Sequence, residues 1–165
     1  MLLSLSKRLE KKSTPIIYIG RAFFFDDADI TFSVRSSHMA HEILKLTSVH
    51  PTDGYSHVAK AGNTLYIAGQ VAKDPQGNLV GKGDIETQVR QVFTNLKNVL
   101  EESGGSLNHI VKLTTFLTHF NYRETYRNVR KEFLQAPFPA NTMLIVESLA
   151  SPDYMIEIEA IAVLD

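Results

Sequence analysis

Between Ile85 and Leu100 the apolar residues Ile85, Val89, Val92, Phe93, Leu96, Val99 and Leu100 fall at i, i+4, i+7, i+8, i+11, i+14 and i+15. This unbroken stripe at the helical period predicts a helix from Ile85 to about Ser103 that must lay one face on an apolar surface. Asp84 precedes it as an N-cap, and Gly104-Gly105 follows, where the chain can leave the helix in the left-handed conformation. A glycine pair after a helix is a stop signal, not a phosphate-cradling loop. The surface the helix needs is legible in the segments around it. Ser56–Lys60 and Thr64–Gln70 read as strands joined by a turn at Ala61-Gly62-Asn63. Asp74-Pro75-Gln76-Gly77-Asn78 has loop chemistry. Val111, Leu113, Thr115 and Leu117 alternate with Lys112, Thr114, Phe116 and Thr118 as in a strand. A second helix opens at Asn121, with Glu124 spaced to complete a capping box. Its stripe is Tyr122, Tyr126, Val129 and Phe133, and Pro137-Phe138-Pro139 stops it. Thr142–Val146 reads as a strand of buried type, Ser151-Pro152-Asp153 as a turn, and Met155–Val163 as the last strand.

The order β-β-α-β-α-β-β predicts a two-layer α+β domain, with both helices on one face of a single sheet. Apolar side chains among Ile156, Ile158, Ala160 and Ala162 are expected on the opposite face, which a symmetric oligomer would cover. The first residues read differently. A basic cluster (Lys7-Arg8-Leu9-Glu10-Lys11-Lys12), an aromatic run (Phe23-Phe24-Phe25) and an acidic cluster (Asp26-Asp27-Ala28-Asp29) share no period. Residues 1–45 are therefore expected to be an N-terminal extension, partly disordered or an artefact of the gene model, with the domain at 46–165. Met39 is an alternative start. A strand near Ile16–Ile19 that joins the fold is the competing expectation.

Function classes narrow by composition. The chain has no cysteine, which removes thiolate nucleophiles, disulfides and Cys-based zinc sites and makes a cytoplasmic home the expectation. A formal net charge of -1 gives no basic face for nucleic acid. No apolar run approaches the roughly 20 residues needed to span a bilayer, and Met1–Ser6 precedes its basic cluster, the reverse of a secretory signal. His38 and His41 have metal-like spacing only on a helix, with no carboxylate to complete a site. Gly-x-Ser-x-Gly is absent. Arg123, Arg127, Arg130 and Lys131 form a basic stretch on the second helix, read as a solvated face, with an anion contact as the alternative. The most unusual segment is Met155-Ile156-Glu157-Ile158-Glu159-Ala160-Ile161-Ala162. Strand period two places Glu157 and Glu159 on one face with Met155 and Ile161. Two carboxylates there mean either a cleft that raises a pKa for proton transfer, or a solvated face or cross-strand ion pair.

Together these residues resemble a known family. Gly54-Tyr55-Ser56, Tyr66-Ile67-Ala68-Gly69-Gln70, the helix from Asp84 through Leu100, Val111-Lys112 with Thr114, Pro139-Ala140, and Glu157–Ala162 are similar to the RidA (YjgF) family over about residues 46 to 165. The resemblance implies a chorismate-mutase-like fold, a homotrimer with small-molecule clefts between subunits, and hydrolysis of enamine or imine intermediates to carbonyl product and ammonia without a cofactor. It implies that Glu157 orients or activates water, that Tyr55 lines the cleft and that the Gly69 backbone lies near the ligand. At position 141 the family's deaminases carry an arginine that grips the substrate carboxylate, and this chain has Asn141. Asparagine cannot make a bidentate ion pair. Tyr126 falls where many members have a smaller polar residue. The expected substrate therefore lacks a carboxylate or holds it by another group. The alternatives are a non-catalytic, metabolite-binding regulatory trimer and, third, an RNA-cleaving factor.

Overall fold

The computed structural model describes residues 41–165. The composition shift over residues 1–38, the strand expected near Ile16–Ile19 and Met39 lie outside the described residues. Six strands, β1 (Glu42–Leu44), β2 (Val58–Ala61), β3 (Thr64–Gln70), β4 (Ile110–Leu117), β5 (Ala140–Ile145) and β6 (Ile156–Val163), form one mixed sheet in the order β1-β2-β3-β6-β4-β5. Among the described strands only β4 and β5 run parallel, joined by helix α2 (Tyr122–Phe133). Helix α1 (Ile85–Glu102) connects β3 to β4. The expected order of strands and helices is found, with β1 added. Strand β1 pairs antiparallel with β2, Glu42 opposite Lys60 and Leu44 opposite Val58.

Both helices cover one face. The α1 stripe buries Val89, Val92, Phe93, Leu96, Val99 and Leu100 against Leu65 and Ile67 of β3, Leu113 and Leu117 of β4, and Ile156, Ile158, Ala160 and Ala162 of β6. Burial of such side chains contributes about 1.5–3 kcal/mol each for the larger ones, so this face drives folding. The last four residues point at the helices, not at the uncovered face on which the sequence places them. A one-residue change of phase exchanges the two faces of a strand, and periodicity alone does not say which face meets a helix. The open face carries Tyr66, Thr114, Phe116, Leu144, Glu157, Glu159, Ile161 and Val163, of which Tyr66, Leu144 and Val163 are large exposed apolar or aromatic side chains. Strand β5 is not of buried type either. It is the outermost strand, and Leu144 and Ile145 are exposed.

The helix ends follow local chemistry. The Asp84 carboxylate accepts from the backbone N–H groups of Glu86 and Thr87 at 3.0 and 3.3 Å. Gly104 ends α1 with φ +87°, where any other residue would be strained. The capping box expected at α2 does not form. Asn121 is already helical and makes no side-chain cap, and the backbone N–H of Tyr122 instead bonds to the His119 carbonyl at 3.2 Å.

Two buried amides on α1 position the strand ends. Gln88 donates to the carbonyls of Gly81 (3.1 Å) and Asp153 (2.8 Å) and accepts from Met155 N–H (2.9 Å), fixing the chain as it enters β6. Asn95 donates to the carbonyls of Val71 and Lys73, both at 2.9 Å, fixing the chain as it leaves β3. Burying an amide costs free energy unless it is hydrogen-bonded, so these two, bonded to the backbone, act as brackets for the two strands that carry Glu157 and Gly69. At the far end of α1, Glu102 accepts four hydrogen bonds from the backbone and hydroxyls of Thr47 and Ser48. They hold its carboxyl down at about 2, the Ser48 hydroxyl first among them.

Candidate functional site

Strand β6 places Glu157 at the centre of the open face, opposite Phe116 of β4. The register between β3 and β6 shifts between Ile67 and Gln70, and the shift leaves Gly69 beneath the Glu157 carboxyl. A Cβ built on Gly69 would stand 1.8 Å from Glu157 Oε1 and 2.9 Å from its Cγ. The glycine therefore makes the floor on which this carboxylate lies. No cation among the described residues pairs with Glu157 within salt-bridge distance. Burial pushes its carboxyl above the usual carboxylate range, and the charge of Glu159 pushes it the same way.

The backbone around Gly69 fixes a testable consequence. Gly69→Ala is expected to lower the unfolding free energy by about 1–3 kcal/mol, because the new methyl group must displace the Glu157 side chain. It should also bring the Glu157 titration back toward the ordinary carboxylate value. Urea denaturation and a carboxyl-resolved NMR titration check both; an unchanged titration would mean that Gly69 does not seat the carboxylate.

Tyr55 is 50% exposed and near enough to Glu157 for that carboxylate to act on its hydroxyl. Its hydroxyl lies 3.3 Å from Nε2 of the buried His50. Burial raises the Tyr55 pKa, the charge of Lys73 opposes the rise, and Glu157 adds to it. Behind it, His57 Nε2 bonds to the His50 carbonyl at 2.7 Å, and Gln70 Nε2 bonds to His57 Nδ1 at 3.1 Å. Burial, assisted by His57 and Lys73, holds His50 down at about 4. Sequence reading missed this buried pair. Its signal was the spacing of His50 and His57 around Tyr55, on a chain whose other histidines are scattered.

Asn141 and Tyr126 stand elsewhere. Asn141 of β5 shares the helix-side face with Leu113 and Met143, and its amide donates to the Tyr126 hydroxyl at 3.1 Å. Tyr126 is buried, and Thr115 Oγ1 lies 2.9 Å from the same hydroxyl. The sheet separates this cluster from Glu157, so one chain brings Glu157, Gly69 and Tyr55 together but not Asn141 or Tyr126. The basic stretch of α2 divides too. Arg123, Arg127 and Lys131 are exposed along an open recess of about 580 Å³ that also holds Glu124. Arg130 turns inward. No group of three metal-binding side chains occurs among the described residues, and none of their helices is long and apolar enough to cross a membrane.

Residues 46–164 match the family profile described as Endoribonuclease L-PSP. The chain belongs to this family, the RidA (YjgF) proteins. Among its relatives, a RutC family protein of Pyrococcus horikoshii is 43% identical over 68% of this chain and 88% of that protein. The 2-iminobutanoate/2-iminopropanoate deaminase of Dermatophagoides farinae is 36% identical over 70% of this chain and 89% of that protein. Of solved structures, RidA from Psychrobacter sp. PAMC 21119 superposes with a TM-score of 0.70 at 32% identity, covering 74% of this chain and 99% of that one. TdcF of E. coli with bound serine gives 0.70 at 29% identity, covering 75% and 99%. These RidA neighbours share the α+β architecture of a mixed sheet under two helices.

Proposed function

We propose that this RidA-family chain hydrolyses an imine or enamine to a carbonyl product and ammonia, in a cleft between copies of a homotrimer. The observation that carries the reading is Glu157: a half-buried carboxylate with no cationic partner among the described residues, raised in pKa and seated on Gly69. A base of raised pKa is better matched to moving a proton near neutral pH than an ordinary carboxylate. Water attacks the C=N carbon while Glu157 takes its proton. The proton passes to nitrogen, and the resulting carbinolamine breaks its C–N bond as its hydroxyl proton moves to the departing nitrogen, which releases ammonia and the carbonyl compound. One water is consumed per ammonia released. Tyr55, held against His50, and the Gly69 backbone shape the side of the cleft nearest Glu157. None of this requires a cofactor, and a chain without cysteine suits the cytoplasm.

Two features support assembly from several copies. The open face leaves Tyr66, Leu144 and Val163 uncovered in one chain. Glu157 and Asn141 also lie on opposite faces of the sheet, so a cleft holding both needs residues from two copies. Relatives named as deaminases of 2-iminobutanoate and 2-iminopropanoate, and a neighbour with bound serine, favour a small ligand with a carboxylate. Asn141 carries no charge and one of its amide N–H groups is donated to Tyr126, so we assign the carboxylate of such a ligand to another group.

The test generates imino acids in place with an amino-acid oxidase and follows ammonia release, with sedimentation of the same sample. Acceleration over the uncatalysed rate by a species of three-chain mass is the expected result. A three-chain species that binds 2-oxo acids without accelerating hydrolysis would move the regulatory reading ahead, as Asn141 would favour. A stable monomer at micromolar concentration would remove the intersubunit cleft.

A further inference from the structure

Four of the eleven lysines and arginines among residues 41–165 have a polar partner in the structure. Arg90 pairs with Glu86 and Glu132, Lys82 with Asp153, and Lys97 with Glu101. Lys112 donates to the Leu113 carbonyl and to Thr142 Oγ1. Arg123, Arg127 and Lys131 stand in solvent around the recess on α2. Arg130 fits neither group. It is partly buried, and its guanidinium carbon lies 5.5 Å from the centre of the Tyr126 ring and 6.0 Å from that of Phe138. Its Nε is buried with no hydrogen-bond partner, and among the described residues no carboxylate pairs with it.

The reason lies in the helix period. Arg130 follows Tyr126 by four residues, so the guanidinium lies along the Tyr126 ring, while Arg123, Arg127 and Lys131 share a different stripe. Tyr126 is itself fixed. Phe93 stacks on it at 6.3 Å, and its hydroxyl is bonded to Thr115 and Asn141. Two rings thus hold a planar cation beside the start of β5, with none of its N–H donors bonded to a described residue. Cation–π contact orients a guanidinium without using those donors, which stay available to a planar anion. An unpaired, ring-held guanidinium half withdrawn from water calls for an anionic partner, because charge-assisted bonds strengthen as water is excluded.

We infer that Arg130 is the specificity-determining cation of this protein: it takes the carboxylate of the ligand at the β5 side of the cleft, where Asn141 supplies no charge. The inference rests on the proposed imine-hydrolase reading for its setting. It adds that the anionic end is gripped from α2, and that the Asn141–Tyr126–Thr115 hydrogen bonds hold the platform on which Arg130 lies. Lys73 is the rival cation, on the Tyr55 side, 5.9 Å from the Tyr154 ring centre.

The experiment compares native protein, Arg130→Gln, Arg130→Lys and Lys73→Gln, with thermal unfolding to establish that each is folded. Two readouts are taken: binding of 2-oxobutanoate by calorimetry, and the ratio of kcat/KM for a carboxylate-bearing imine to that for its uncharged amide counterpart. Arg130→Gln should raise the 2-oxobutanoate Kd about ten- to a hundredfold and reduce the substrate ratio by a similar factor. Arg130→Lys should recover only part of the loss, because an ammonium cannot make the two-pronged contact. Lys73→Gln should keep the native ratio. Selective loss in Lys73→Gln, or 2-oxobutanoate binding that is unaltered in a folded Arg130→Gln, overturns the assignment. If no imine is turned over but 2-oxobutanoate binding still depends on Arg130, the anchor stands and the hydrolytic reading falls.

Discussion

Replacing Glu157 with glutamine is expected to cut imine turnover by about a hundredfold or more, the range a positioned proton-transfer group supplies, while the fold is kept or stabilised. The second half of that expectation separates a proton-transfer role from a structural one. A carboxyl whose folded pKa is raised above its unfolded value favours the fold while protonated. That contribution is fully present below the unfolded value and is lost as pH rises through the folded one. At neutral pH the ionised Glu157 therefore costs stability, through burial first and the charge of Glu159 second. Glutamine keeps the shape without the charge. Urea midpoints of native and Glu157→Gln protein should differ in favour of the variant at pH 7 and converge well below the ordinary carboxylate range. An ion-paired structural glutamate would give the opposite pattern. Full turnover by Glu157→Gln on a proven substrate would end its catalytic assignment.

What the sequence made legible follows from which signals are local. The α1 stripe, its Asp84 cap and its Gly104 stop are set within one helix, and all three appear in the structure. The alternation that puts Glu157 and Glu159 together is equally local. Which face of β6 meets the helices is a tertiary fact, and so Ile156 and its companions were expected on the wrong side. The same limit explains β5. Its run Thr-Met-Leu-Ile-Val carries the apolar content of a central strand, but the parallel crossover through α2 leaves it at the sheet edge. Capping at α2 is decided by competition. Asn121 is spaced correctly for a box, yet the His119 carbonyl and ring already supply the acceptors for the first turn. The bracket amides had a visible signal that went unread: Gln88 and Asn95 flank the apolar stripe seven residues apart. Arg130 had one too. Helical spacing separates it from Arg123, Arg127 and Lys131 and aligns it with Tyr126, so a basic run by composition is two different faces by geometry. Asn141, by contrast, was visible as a departure from the family, while the hydrogen bond to Tyr126 that occupies it needed coordinates.

Acid should destabilise this protein well above the carboxylate range, and His50 is the reason. It is 4% exposed, and its Nδ1 is buried without a hydrogen-bond partner. Its Nε2 meets only the Tyr55 hydroxyl, and its ring packs edge-on against His57 at 4.7 Å. His57 offers no relief, since its own nitrogens are taken by the His50 carbonyl and by Gln70. Electrostatic repulsion from the His57 and Lys73 side opposes a positive charge on His50. A proton added to His50 would thus be buried, unpaired and repelled, which is why its pKa falls to about 4 from 6.5. The unfolded chain has no such difficulty and takes up the proton near the ordinary value. Stability from this site is therefore fully present above pH 6.5 and is lost as pH falls from 6.5 toward 4, by about 3 kcal/mol in all at about 1.4 kcal/mol per pH unit. Glu157 works in the other direction near its own pKa, and other carboxylates titrate at the lower edge of the window, so the comparison must be differential. His50→Gln is expected to be less stable at pH 7.5 and to lose much less between pH 6.5 and 4.5, so that the urea midpoints of native and variant approach one another through that window. Parallel curves would mean that His50 titrates as freely in the folded protein as in the unfolded one, and that the buried histidine pair behind Tyr55 does not hold its neutral form.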